Sequence, residues 1–296
     1  MSGPIAGDRQ PLAAVYSIGG PRLSGRSVSQ KGVVLFACRR VLTLISTLVL
    51  LASAASCGRH NSNLPAPGSV DEDRFLFDKG TALLQDKNWL VAREYFKKLI
   101  DTYPQSGFRH DARLGIGDSY IGEGRTESYI LAVNEFRQFL QLAPLNRKAD
   151  YAQYKICLAQ SKQMLNSQRD QTATRDALTD CDAFLRAYPT SQLRPEVEAI
   201  RRLARNRLSD HEFGVGLTYF RQKVYQGADS RFRGIIADDP GYSDIDRVYY
   251  YLAETMYLGS VGDRKKEALP LYERVLEFPN SEYLKKAKER IAEIKR

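Results

Sequence analysis

A recurrence of small and aromatic residues at fixed spacing limits this chain more than any other feature. From Gly216 the stretch carries Tyr219, Ala228, Phe232, Ile235 and Pro240. Its last four members are an alanine, apolar residues four and seven positions on, and a proline at twelve. They recur as Ala92, Phe96, Leu99 and Pro104, as Ala132, Phe136, Phe139 and Pro144, and as Ala177, Cys181, Phe184 and Pro189. A further copy, Ala268, Tyr272, Val275 and Pro279, has its proline one residue early. Side chains four and seven apart share one face of a helix. A proline stops that helix because it has no N–H to donate and clashes with the preceding turn.

The pattern from Gly216 to Pro240 is that of a tetratricopeptide repeat, two antiparallel helices in about 34 residues with small residues where they cross. Gly216 and Ala228 let the backbones approach, and Tyr219 and Phe232 fill the space beside them. The predicted fold is all-α, a tetratricopeptide-repeat superhelix of about five helical hairpins plus a capping helix. The hairpins fall near residues 73–106, 109–146, 148–191, from Pro195 to Pro240, and 244–281, with the cap at 282–296. One hairpin cannot bury its own apolar face, so neighbours must stack. Residues 75–191 form an N-terminal half and 192–296 a C-terminal half. The prolines lie farther apart than the repeat length, which puts extra residues into turns, at Gly122-Glu123-Gly124 and in the polar stretch Asn166 to Thr174. Trp89 is placed as a lid on the first turn. Arg201, Arg202, Arg205 and Arg207 are read as a solvated face of a long helix.

The formal charge of +9 overstates how basic the body is, because residues 1–56 hold six Lys/Arg and one acid. No Lys/Arg stripe with interleaved aromatics appears, so nucleic acid is not an expected partner. His60, His110 and His211 are scattered without metal-ligand spacing. No phosphate loop, nucleophile elbow or paired-carboxylate motif is present, so the expectation is a protein that is not an enzyme and takes no cofactor or metal.

Arg39 and Arg40 precede the uncharged run Val41 to Leu51, followed by small residues up to Cys57. A run of this length falls short of the about 20 residues a spanning helix takes. It has the order of a signal peptide: charged, apolar, small. Ala54-Ala55-Ser56-Cys57 resembles the lipobox of bacterial lipoproteins, which implies that Cys57 is acylated and anchors the chain to a membrane. Residues 1–56 are thus read as a signal peptide with an N-terminal extension, initiation being expected near Val33 or Val34. Residues 57–74 are read as a lipidated, flexible tether. Cys157 and Cys181 both fall at seam positions of the third hairpin. They are read as two buried thiols, a bridge being the alternative if their Cα atoms come within about 7 Å.

First-helix positions one turn either side of the small residue face the groove of such an array. In the first three hairpins these include Phe77, Thr81, Leu84, Asp111, Leu114, Asp118, Ile121, Tyr151 and Tyr154. The mixed apolar and acidic lining suits an extended segment ending in an aromatic residue.

Several stretches go beyond the ladder: Asn88-Trp89 with Ala92, Asp150-Tyr151-Ala152-Gln153-Tyr154, Arg169-Asp170-Gln171, Tyr188-Pro189-Thr190-Ser191, and His211-Glu212 with Val215, Tyr219 and Arg231. In these the chain resembles the BamD (ComL-type) outer-membrane assembly lipoproteins, over about residues 57–280. Cys157 stands where that family prefers Gly. The resemblance implies a lipid-anchored scaffold at the periplasmic face of the outer membrane. Its C-terminal hairpins would bind the POTRA domain of the barrel-inserting subunit, with Arg231 as the contact. Its N-terminal hairpins would receive unfolded outer-membrane proteins, and other assembly lipoproteins are further partners. The alternative is another periplasmic repeat lipoprotein, serving pilus assembly or envelope and cell-division coordination.

Overall fold

The computed structural model describes residues 71–259 and 262–296; Cys57, the signal segment and most of the tether lie outside them. Among the described residues there are α-helices and no strands. The first hairpin pairs α1 (Glu72–Gln85) with α2 (Trp89–Thr102), the second α3 (Arg109–Glu123) with α4 (Thr126–Leu142), and the third α5 (Ala149–Ser161) with α6 (Thr172–Ala187). The fourth pairs α7 (Arg194–Arg221) with α8 (Tyr225–Asp238). The fifth pairs α9 (Ile245–Gly259) with a 3₁₀ turn (Gly262–Ala268) running into α10 (Leu269–Val275), and α11 (Leu284–Ile294) closes the array. Each helix packs on the next in sequence, and first helices of neighbouring hairpins also touch, α1 on α3 and α5 on α7.

Every helical rung of the ladder is 3% exposed or less. The knob at its second position needs a gap. A Cβ placed on Gly80 would lie 2.7 Å from the Phe96 ring, and one on Gly115 2.5 Å from the same ring. Phe96 therefore seats itself against its own hairpin and the next one at once. Phe232 meets Gly216 in the same way, at 2.7 Å. The third hairpin has no such glycine. There Cys157 and Cys181 are joined in a disulfide with Cα atoms 5.0 Å apart, both side chains fully buried. The two thiols expected from the sequence are thus one bridge. The ladder aims its knob straight at the small residue across the seam, and two cysteines in those places fall within bonding reach.

The turns between hairpins repeat as regularly as the helices. Ser106, Ser191 and Ser281 each stand two residues after the stopping proline. Their Oγ atoms accept from the backbone N–H of Phe108, Leu193 and Tyr283 at 3.1–3.2 Å. Ser106 and Ser191 also donate to Asp73 and Asp150, at 2.6 and 2.7 Å, tying the start of one first helix to the turn before the next. This explains why α1 begins at Glu72, inside the segment read as tether. Glu72 accepts from Tyr103, and carboxylates suit the positive end of a helix.

Two further expectations are corrected and a third is extended. The extra residues after Gly122 lengthen α4, which starts at Thr126, rather than the turn; Gly124 alone takes the left-handed conformation there, φ 74°. Trp89, at the first turn, also reaches the second hairpin: a Cβ placed on Gly122 would lie 2.7 Å from its ring. The arginines of α7 are spent on structure rather than water. Arg201 pairs with Asp182, Arg202 with Asp239, Arg205 donates to the Asp238 carbonyl, and Arg207 to those of Met164 and Leu165. The fifth hairpin's second helix is short because Pro270 occupies its first turn, where a missing N–H costs least.

Reduction tests the bridge directly. Closing the loop between Cys157 and Cys181, 24 residues apart, should contribute about 3 kcal/mol. Denaturant unfolding with and without reductant should show a loss of that order. The double variant Cys157→Gly, Cys181→Phe, which restores the pairing of the other hairpins, should fold and be indifferent to reductant.

Candidate functional site: two clefts along the hairpin array

Seven of the nine groove residues come together. Phe77, Thr81 and Leu84 from α1, Asp111, Leu114 and Asp118 from α3, and Tyr151 from α5 line one cleft of about 350 Å³, joined by Phe96, Arg147, Lys148 and Asp150. Its apolar wall is ordered by stacking, with Phe77 5.1 Å from the Phe108 ring and 6.0 Å from Phe96. Its acids are already engaged. Lys148 pairs with Asp111 at 3.1 Å and Lys155 with Asp118 at 2.7 Å, while the Tyr151 hydroxyl donates to Asp118 at 2.8 Å. Burial and the Asp118 charge push the Tyr151 hydroxyl well above its ordinary pKa, so it stays a donor. Arg147, by contrast, has no carboxylate within ion-pair distance among the described residues, and it stands exposed at the rim. The lining is therefore an apolar wall beside acids that already have partners, with one unpaired guanidinium at the rim.

Ile121 and Tyr154 do not line this cleft. Each lies three residues past the last lining residue of its own helix, and its side chain packs on a core cluster instead. Ile121 packs on the cluster around Leu114 and Phe136, and Tyr154 on the cluster of Cys157, Cys181 and Phe184. Cys57 lies outside the described residues.

Arg231 lies on the wall of a second cleft of about 540 Å³ between α6, α7 and α8. Its guanidinium donates to Glu212 at 2.7 Å, and both side chains are about two-fifths exposed (44% and 40%). The Glu212 carboxylate holds the Arg231 pKa above its ordinary value. At the closed end Asp239 is buried, held by Arg202 through both guanidinium nitrogens, one at 2.8 Å, and by Ser209 at 2.8 Å. Burial alone would raise the Asp239 carboxyl, but the Arg202 and Ser209 hydrogen bonds outweigh it and hold it below the usual range. Arg175 and Arg205 share the lining with Arg231, beside Glu212, Asp238 and Asp239. The sequence placed Arg205 on a solvated face and did not single out Arg175, because nothing near an arginine tells a cleft wall from open water.

With this geometry in view, the comparisons place the chain. Residues 70–268 match the family described as YfiO, outer membrane lipoprotein. The chain belongs to that family. The YfiO match runs from just before α1 to the end of the 3₁₀ turn in the fifth hairpin, and so takes in both clefts. The outer membrane protein assembly factor BamD of Caulobacter vibrioides is 25% identical over 224 residues, 74% of this chain and 71% of that protein. BamD of Haemophilus influenzae is 24% identical over 209 residues, 66% of this chain and 77% of its own length. Among solved structures, a tetratricopeptide repeat protein from Parabacteroides merdae is 12% identical and covers 76% of this chain and 99% of its own, with a TM-score of 0.33. The fold assignment stands on the hairpins themselves.

Asp239 makes the second cleft acid-sensitive. Its pKa is lower in the folded chain than in the unfolded one, so the stability it supplies is present above about pH 4 and lost as pH falls through the lowered value. At about pH 6, Asp239→Asn should cost about 1.5–3 kcal/mol, the worth of hydrogen bonds to a charged group. In urea titrations the gap between variant and wild type should close at more acidic pH; a gap that is independent of pH would contradict the assignment.

Proposed function

We propose that this chain is a lipid-anchored, non-catalytic scaffold of outer-membrane protein assembly, working at the periplasmic face of the outer membrane. The observation that carries this reading is the similarity of the hairpin array to proteins named outer membrane protein assembly factor BamD, over two thirds or more of their length. Cys57, directly after Ala54-Ala55-Ser56, is the proposed lipidation site. Among the described residues no helix is long and apolar enough to cross a membrane.

The two clefts divide the work. The first takes an extended segment of an unfolded outer-membrane protein. Phe77, Leu84 and Leu114 receive its apolar side chains, and Arg147 at the rim receives a carboxylate. Holding an unfolded segment requires shape and adaptable apolar contact rather than chemistry, and no bond is made or broken. The second cleft, through Arg231, docks the POTRA region of the barrel-inserting subunit. Arg231 suits a contact that must form and part. Its pair with Glu212 is exposed, and exposed ion pairs are worth about 0–1 kcal/mol, so a partner's carboxylate displaces Glu212 at little cost. A guanidinium also binds a carboxylate through two parallel N–H bonds.

Two measurements separate the halves of this proposal. Titration calorimetry of the chain against the POTRA region of the same organism's barrel-assembly protein should show binding that Arg231→Glu weakens at least tenfold. Absence of any binding by the wild type would remove the docking role. Independently, a peptide ending in an aromatic residue with a free carboxylate should bind the wild type. Leu84→Arg, which places a charge on the partly exposed apolar wall, should abolish that binding while leaving the POTRA titration unchanged.

A further inference from the structure

The cleft between α6, α7 and α8 holds more guanidinium donors than its own acids use. Glu212 is spent on Arg231, and Asp239 on Arg202 and Ser209. Arg205 gives one N–H to the Asp238 backbone carbonyl at 3.1 Å, and its buried Nε has no hydrogen-bond partner. Arg175 makes a long contact, 3.4 Å, to Thr172 on its own helix. Among the described residues no carboxylate lies within ion-pair distance of Arg175 or Arg205, although Asp238 is on the same wall. Between the arginines the floor is apolar, built from Leu178, Leu208 and Ile235.

We propose that this cleft seats a protein segment carrying a carboxylate beside an apolar side chain, with Arg175 and Arg205 binding that carboxylate together with Arg231. The proposal deepens the docking role given above and rests on it for the identity of the partner. Two features select this occupant. The unpaired guanidinium groups of Arg175 and Arg205 come from two helices and share one lining with Arg231 from a third, so a single carboxylate faces more than one fork. The apolar floor rewards a side chain next to that carboxylate, which a free phosphate or a lipid headgroup lacks. The helices also set a condition. Arg175 stands on the third hairpin, Arg205 and Arg231 on the fourth, so the segment bridges two repeats and reads their relative placement.

The test is photo-crosslinking in the native envelope, with a diazirine amino acid replacing Leu178 in the full chain and adducts identified by peptide sequencing. The expected adduct is a segment containing Asp or Glu. Its yield should fall at least tenfold in the double variant Arg175→Gln, Arg205→Gln. It should persist in Arg233→Gln, whose arginine pairs with Asp229 away from the cleft. Each arginine is also replaced singly, so that a melting shift in the double variant cannot stand in for lost binding. An adduct within the POTRA region supports this proposal and the docking role alike. An acidic segment of another protein, lost in the same variants, supports the proposal and removes the POTRA assignment. An adduct with lipid, with a second copy of the chain or with a segment lacking acids overturns the proposal. So does a yield that the double variant leaves unchanged.

Discussion

In the first four hairpins a ring or sulfur from the second helix, seated against a small residue of the first helix, is the contact on which the array depends. It sets the distance between helices, because a side chain larger than hydrogen at Gly80 or Gly216 would strike the ring before the backbones could close. Interiors pack at crystal-like density, so that distance is not negotiable by a few tenths of an ångström. Phe96 extends the principle beyond one hairpin, since Gly115 of the second hairpin covers the same ring. The disulfide of the third hairpin obeys the same geometry with a covalent bond in place of a packed ring.

The ladder made the helices, their order and their crossing points readable from the sequence, because it encodes contacts with a fixed period. Contacts without a period were not readable. Arg93 is buried against the Tyr120 ring at 4.3 Å and pairs with Glu123 at 3.3 Å, and Arg290 is held by Glu254 at 2.8 Å, yet nothing in the sequence near either arginine marks it as enclosed. The same blindness hid Arg202 and Arg205 on α7. The cleft of the first three hairpins was legible to the extent that side chains one turn apart share a face. It failed at Ile121 and Tyr154, whose side chains are taken by the clusters around Phe136 and Phe184.

Two kinds of glue therefore hold neighbouring hairpins together. The apolar seams are uniform and would permit any number of repeats in any order. The ion pairs that cross between hairpins, Arg137 with Asp180 and Arg201 with Asp182, differ from one junction to the next. Part-exposed pairs of this kind add little net stability, but they fix which side chains face each other. Such pairs consequently oppose slippage of one hairpin along another more than they strengthen the stack.

That distinction bears on why the second cleft sits where it does. Arrays of this kind respond to load by small rotations between repeats, and most of their surface moves with a single hairpin. The cleft at Arg231 is different, since its walls come from α6 on one repeat and from α7 and α8 on the next. The disulfide fixes α6 to α5 on one side, and the bidentate hold of Arg202 on Asp239 fixes the end of α8 to α7 on the other. Each wall is thus tied within its repeat, and the Arg201–Asp182 pair spans the junction between them. A segment bound across that junction would be sensitive to the angle between repeats three and four.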